Sequence, residues 1–433
     1  MLKYLDSFDN IVQGNSGAWS ATSPLGRLGW SAVYNAAMYI EQGQGRRGSN
    51  MLFMTYNYSP KVLTLARSST RLVVGFAWRP ASTSANDQNG CVVFRYGTFT
   101  NFTICWARST YGITFSFTTG EVAGAYPAIP SSAYMSAPFS ADAWTFIELF
   151  IDVTDYMNGR VKCAVNGQTV YDQSGLVVCA HLGFGSDPYD VRAKLNTIAF
   201  GGSALGNVGG WYTMNKIDSI YVADDEGGYQ NDFLGDITVA AMRPMRDGDR
   251  YDFSPFINGV EADISTPRYG LIDDLLFDPA ASELEFIQAD QDMLQQLMSY
   301  EPVYIPVDSS LIAINHRTAL RNVASPGLPR ENSMTPLYKS SGNDTIVINS
   351  LTKRYTGWAY NYQDIYYPLV PGLAIPWTKL LIDESQFGFL LKEAIWTGLV
   401  NEYAEFVDDA LDTKLCGDLS EETLDFTDGV VDE

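Results

Sequence analysis

From Leu2 to about Asp225, apolar and polar positions alternate in runs of five to nine residues separated by clusters of Gly, Ser, Asn and Pro. A period of two sends successive side chains to opposite faces of an extended chain, so these runs predict β-strands. They are Arg71–Trp78, Cys91–Tyr96, Asn101–Ala107, Ile113–Thr118, Thr145–Val153, Arg160–Val165 and Ser219–Ala223. In the longest, Thr145, Ile147, Leu149, Ile151 and Val153 form one continuous face and belong in a core, while Phe146, Glu148, Phe150 and Asp152 form the other. Many short strands with frequent turn signals predict a β-sandwich. The sharpest turn signal is Asn166-Gly167 between two apolar-alternating runs, which supplies the positive φ angles that a tight hairpin needs.

The pattern changes in the second half. Leu284, Ile287, Met293, Leu294 and Leu297, with acidic residues between them, predict a short helix or two within Leu271–Tyr300. Val303–Asn315 and Thr345–Leu351 return to strand-like alternation. Leu391, Ile395, Leu399, Tyr403, Phe406, Val407, Ala410 and Leu411 recur at helical spacing and predict a C-terminal helix from about Lys392.

Composition narrows the function classes. The 433 residues include 28 Lys plus Arg against 50 Asp plus Glu, a net charge of −22, which argues against nucleic acid as a partner because phosphate binding needs clustered bases. Residues 401–433 hold twelve acidic residues and one Lys, −11, so half of the excess sits in a terminal arm. That arm is either a solvated end or, given Phe426, Val430 and Val431 within it, a segment that docks on a basic partner. The start of the chain has neither a basic segment nor an apolar one of signal-peptide type, and no apolar run is long enough to span a bilayer, so folding in a cytoplasm without membrane insertion is expected. Five cysteines, Cys91, Cys105, Cys163, Cys179 and Cys416, form no CxxC pattern and are expected to be reduced and mostly buried.

Candidate chemistry is sparse. Asp247, Asp249 and Asp252 place three carboxylates within six residues, but calcium wants six to eight oxygens and Arg250 stands among them, so a solvated turn is expected and no metal. Asp224-Asp225-Glu226 reads as another exposed turn. Glu148 and Asp152 share a strand face about 13 Å apart by strand rise, beyond the about 5 Å of a retaining glycosidase pair, and read as the polar side of a half-buried strand. His181 and His316 are the two histidines, neither beside a Gly-x-Ser-x-Gly elbow, and His316 is expected at the surface or in a structural role. Trp211 and Tyr212, flanked by Gly201-Gly202 and Gly209-Gly210, could stack on a sugar, although packing at a domain face is the expected role. No catalytic residue, metal ligand or cofactor is assigned, and no ligand-binding residue is identified.

The order Trp144, the Thr145–Val153 strand, the Asn166-Gly167 hairpin and the Ile217–Asp225 strand resembles a concanavalin-like or laminin-G-like jelly roll. The second half of the chain resembles bacteriophage virion proteins: Asn231–Asp236 leads to Pro244 and Asp247-Gly248, then to Thr335-Pro336-Leu337-Tyr338, Tyr366-Tyr367-Pro368, Pro376-Trp377-Thr378 and Phe387-Gly388. Pro371-Gly372 is spaced differently from that pattern. The resemblance implies a mainly β protein with a lectin-like sandwich at 1–228, a β-rich module at 229–400 with a helical insertion near 271–300, and the acidic arm at 401–433. It further implies a non-enzymatic structural component of a virion, tail-associated or in an appendage, assembled in the host cytoplasm. Copies of itself, other virion proteins and a host-surface glycan are the implied partners; a carbohydrate-binding or glycan-degrading jelly roll and a head decoration or fibre protein are the alternatives.

Overall fold

The computed structural model describes residues 1–6, 8, 29–32, 38–54, 61–80, 89–97, 99–109, 112–119, 133–136, 143–155, 158–178, 194–201, 216–239, 241–257, 260–271, 286–288, 294–302, 311–320, 331–340, 346–348, 353–355 and 361–394. Strands dominate, and the chain is mainly β. The N-terminal half contains β1 (Leu2–Asp6), β2 (Trp30–Ala32), β3 (Met38–Glu41), β4 (Met51–Met54), β5 (Lys61–Ser69), β6 (Arg71–Arg79), β7 (Asn89–Tyr96) and β8 (Phe99–Ser109). It continues with β9 (Gly112–Thr119), β10 (Ala133–Ser136), β11 (Thr145–Asp152), β12 (Gly159–Val165), β13 (Gln168–Leu176), β14 (Leu195–Phe200) and β15 (Lys216–Asp224).

These strands make two antiparallel sheets. The first runs β13-β12-β11-β6-β15-β4-β3, with β1 added on β15, and the second runs β10-β9-β8-β7-β14-β5-β2. Between them lies a continuous core that includes Trp30, Phe76, Trp78, Phe94, Trp106 and Phe200, each at most 2% exposed. Burying aromatic side chains of this size is worth on the order of 2–3 kcal/mol each before entropy is counted, which is why alternation alone specifies the sandwich. The predicted hairpin is present: Val165 pairs with Gln168, and Asn166 and Gly167 take φ of 48° and 78°.

The second half contributes β16 (Pro244–Tyr251), β17 (Ser254–Ile257), β18 (Val260–Glu261), β19 (Phe286–Gln288), β20 (Gln295–Tyr300), β21 (Ile314–Leu320), β22 (Glu331–Lys339), β23 (Ile346–Ile348), β24 (Lys353–Tyr355), β25 (Asn361–Tyr367) and β26 (Gln386–Ala394). Among the described residues a short α-helix, α1 (Lys379–Asp383), precedes β26 and is capped by the Thr378 hydroxyl. The strands form a sheet in the order β16-β20-β26-β22-β23 with β24 against β22, a β18-β17-β19 sheet and a β21-β25 pair. The motifs Thr335–Tyr338, Tyr366–Pro368, Pro376–Thr378 and Phe387-Gly388 converge here. Tyr338, Tyr367, Trp377 and Phe387 share one core cluster, and the Trp377 indole donates to the Tyr367 carbonyl at 2.8 Å.

Two helical expectations are corrected. Gln295–Tyr300 is a strand, not part of a helix, because it lies between β16 and β26 and has four successive residues buried, on both faces. A central strand of this kind has lost the alternation that would reveal it, and its sequence reads equally as a helical stripe. The described part of Leu271–Tyr300 otherwise holds β19 and the end of a single short 3₁₀ turn. Likewise Leu391 lies in β26 and is paired with Met334, so the chain is extended as far as Ala394 and no helix begins at Lys392. The remainder of that predicted helix and the acidic arm lie outside the described residues.

Candidate functional site

A two-sheet sandwich has two outward faces, and here they differ in kind. On the first sheet, Val73, Ala77, Phe146, Phe150, Tyr221 and Ala223 point outward, and the second half of the chain covers them through Phe233, Leu234, Ile237, Val239, Ile312, Ala313 and Tyr366. Strand β11 is therefore buried on both faces, not half-buried, and Glu148 is 1% exposed. Register explains its environment. Glu148 and Tyr221 flank Gly75 from the two neighbouring strands, and a Cβ at Gly75 would meet the Tyr221 ring at 2.0 Å. Without one, the phenol lies across β6 and donates to Glu148 Oε1 at 2.6 Å. The same oxygen accepts the Gly235 N–H at 2.8 Å, and the Leu234 N–H donates to the phenol oxygen at 3.1 Å. Burial pushes the Glu148 carboxyl above its ordinary range, and these donors offset part of the rise. Glu148 is thus a clasp for residues 234–235, closed to any substrate.

Asp152 behaves differently on the same strand. Burial alone would raise its pKa, but Thr154 and the Arg71 guanidinium, at 2.7 Å, hold it below the usual carboxylate value. A charged Asp152 in a salt bridge and a sealed Glu148 do not form an acid and base pair.

The second sheet presents the other outward face. Val62, Cys91, Val93, Cys105 and Ala199 form a small apolar cluster there. Arg95 follows Cys91 and Val93 on the same face of β7, opposite Thr197 of β14. Thr103, on β8, pairs with Val93 and is 1% exposed. Two buried polar atoms here lack a hydrogen bond among the described residues: Arg95 Nε and Thr103 Oγ1. Burial lowers the Arg95 pKa, and the nearby Cys91 thiol offsets part of the fall. Leaving a guanidinium nitrogen buried without an acceptor carries a desolvation cost, so the partly exposed Arg95 has the chemistry to receive an anion, whereas Thr103 is sealed. The sequence signal for Arg95 is a single basic residue ending an outward stripe of Cys91 and Val93 in CVVFRY; it is visible only once the faces of β7 are assigned.

The remaining sequence candidates are structural. Asp247 lies in β16 and accepts the Arg268 and Tyr269 N–H groups, Asp249 pairs with Lys339, and Asp252 accepts the Gln295 N–H. The three carboxylates serve separate partners, in and beside a strand rather than in one shared turn. Asp224 is likewise not in an exposed turn: it is 4% exposed, ends β15 and pairs with Lys3, while Asp225 accepts the Ser69 and Thr70 hydroxyls. His316 is 5% exposed, stacked on Phe389 and 3.2 Å from the Tyr300 hydroxyl, so it belongs to the interior. Cys91, Cys105 and Cys163 are free and buried. His181, Cys179, Cys416, Trp211 and Tyr212 lie outside the described residues.

No protein-family model and no curated protein matches the chain. Among solved structures, a variant of alginate lyase Aly36B in complex with an alginate trisaccharide is 13% identical, with a TM-score of 0.34, over 51% of this chain and 97% of that one. An endo-β-1,4-glucuronan lyase from the fungus Trichoderma reesei is 12% identical with a TM-score of 0.29, over 44% of this chain and 88% of that one. The carbohydrate binding module CBM66 from Bacillus subtilis is 8% identical with a TM-score of 0.25, over 44% of this chain and 91% of that one. The sandwich is a jelly roll of two antiparallel sheets. At these identities the likeness is one of fold. The expectation that the protein is not an enzyme is corrected by these structures, two of which are lyases: a jelly roll of this kind does not set enzymes aside, and the exclusion is withdrawn. The virion assignment rests on the sequence resemblance alone.

Proposed function

We propose that the jelly roll binds an acidic glycan at the edge of the outward face of its second sheet, with a uronic acid carboxylate on the partly exposed Arg95 guanidinium. The observation that carries this reading is Arg95 itself, whose Nε is buried with no acceptor among the described residues. A carboxylate there supplies a charge-assisted bond and removes the cost of the unpaired nitrogen. The first sheet cannot serve, because its outward face is filled by the second half of the chain.

Calorimetry of the full chain with uronic acid oligosaccharides and with neutral oligosaccharides of equal length tests this. Binding of the acidic series that weakens with added salt, and at least tenfold in Arg95→Gln, is expected. Equal affinity for the neutral series, or an Arg95→Gln protein that binds as wild type, would reject it. Chromatography of the same samples after incubation shows whether the bound glycan is also cleaved.

A further inference from the structure

Cys91 and Cys105 are direct partners across the antiparallel pairing of β7 with β8, and their sulfur atoms are 3.1 Å apart. Both are buried, at 0% and 2% exposure, in the small apolar cluster on the second sheet. Directly opposed residues of an antiparallel pair have Cα atoms about 4.5–5.5 Å apart, within the about 4.4–6.8 Å that a disulfide spans. No backbone movement is needed to join them. The third described cysteine, Cys163, lies in the core between the sheets.

We propose that Cys91 and Cys105 are a disulfide-forming pair that locks β7 to β8 whenever the chain folds in contact with a disulfide-class oxidant such as oxidised glutathione. In the reaction each thiol loses its proton and one electron, the S–S bond forms, and the oxidant's own disulfide is cleaved to two thiols that take up both electrons and both protons. Exchange passes through a mixed disulfide and needs a thiolate. Burial raises the Cys91 thiol well above its ordinary range, and the neighbouring Cys105 thiol adds to the rise. The bond therefore forms while the strands pair, before the face closes, and once made it is shielded from reductant. The inference is independent of glycan binding.

The test is to produce the full chain in an oxidising secretory compartment, denature it without reductant in the presence of an alkylating agent, and map the peptides. A Cys91–Cys105 cross-linked peptide, unalkylated at both sulfurs and lighter than the dithiol by two hydrogen atoms, is expected. In parallel, the denaturation midpoint of this material should fall on prior reduction, and that of a C91S/C105S protein should not move. Quantitative alkylation of both cysteines, or a link from either one to Cys163, Cys179 or Cys416, would overturn the proposal. Because the mapping uses the unaltered chain, it stands even where the double variant fails to fold.

Discussion

The two outward faces of the jelly roll are built on the same principle and end in opposite states. That of the first sheet is apolar and aromatic and is filled by the second half of the chain; its buried acid Glu148 accepts from the Tyr221 hydroxyl and the Gly235 N–H. That of the second sheet carries Arg95 and Thr103 with unanswered polar atoms. The contrast is clearest in two arginines. Arg317 of β21 reaches the first strand and pairs at 2.9 Å with Asp6, the two side chains being 5% and 1% exposed, whereas Arg95 Nε has no acceptor among the described residues. The first charge is answered within the fold; the second is the one the proposed ligand would answer.

The largest effect is expected at the answered pair. Arg317→Ala leaves Asp6 buried without its counter-ion and should cost about 3–5 kcal/mol, read from denaturant unfolding; a loss below about 1 kcal/mol would mean that water replaces the guanidinium. Phe146→Ala, in the aromatic seam between the first sheet and the second half, should cost about 3–5 kcal/mol where the site cannot collapse and should make residues 233–239 exchange amide hydrogens faster. Protection unchanged at those residues would separate the seam from the segment that covers it.

A smaller effect concerns pH. Because folding raises the Glu148 pKa, the native state holds its proton more tightly than the unfolded chain. The resulting stability is present below the ordinary Glu value and is lost as pH rises through the raised native value. Glu148→Gln should therefore remove part of the decline in stability on going from mildly acidic to neutral pH, and parallel curves for the two proteins would contradict the assignment. The smallest effect belongs to the unanswered arginine: Arg95→Gln should leave stability within about 0.5 kcal/mol of wild type while abolishing acidic-glycan binding. A large destabilisation there would dissolve the distinction between the two faces.

Much of the jelly roll is legible in sequence because strict alternation and the Asn166-Gly167 turn are local signals. Phe146 and Phe150 show where the reading stops. Their run, with Glu148 and Asp152, looks like a polar face until the second half of the chain is known to cover it, and that cover comes from residues far along the chain, such as Ile312. Gln295–Tyr300 is illegible for a related reason, since burial on both sides erases the period that distinguishes strand from helix. The phage-like motifs around Tyr338, Trp377 and Phe387 turn out to describe a packed core, which is a statement about architecture more than about task. Arg95 stays hidden in the sequence because its meaning depends on what fails to surround it.

The seam over the first sheet also sets a problem in time. A ribosome releases Phe146, Phe150 and Tyr221 long before it makes Ile312, Ala313 and Tyr366, which complete their cover. At synthesis rates of about 5–20 residues per second, the roughly 130 residues between Ile237 and Tyr366 take on the order of ten seconds. For that interval the nascent jelly roll carries a half-covered aromatic sheet face, and whatever shelters it then is as much a part of making this protein as the sequence that later closes over it.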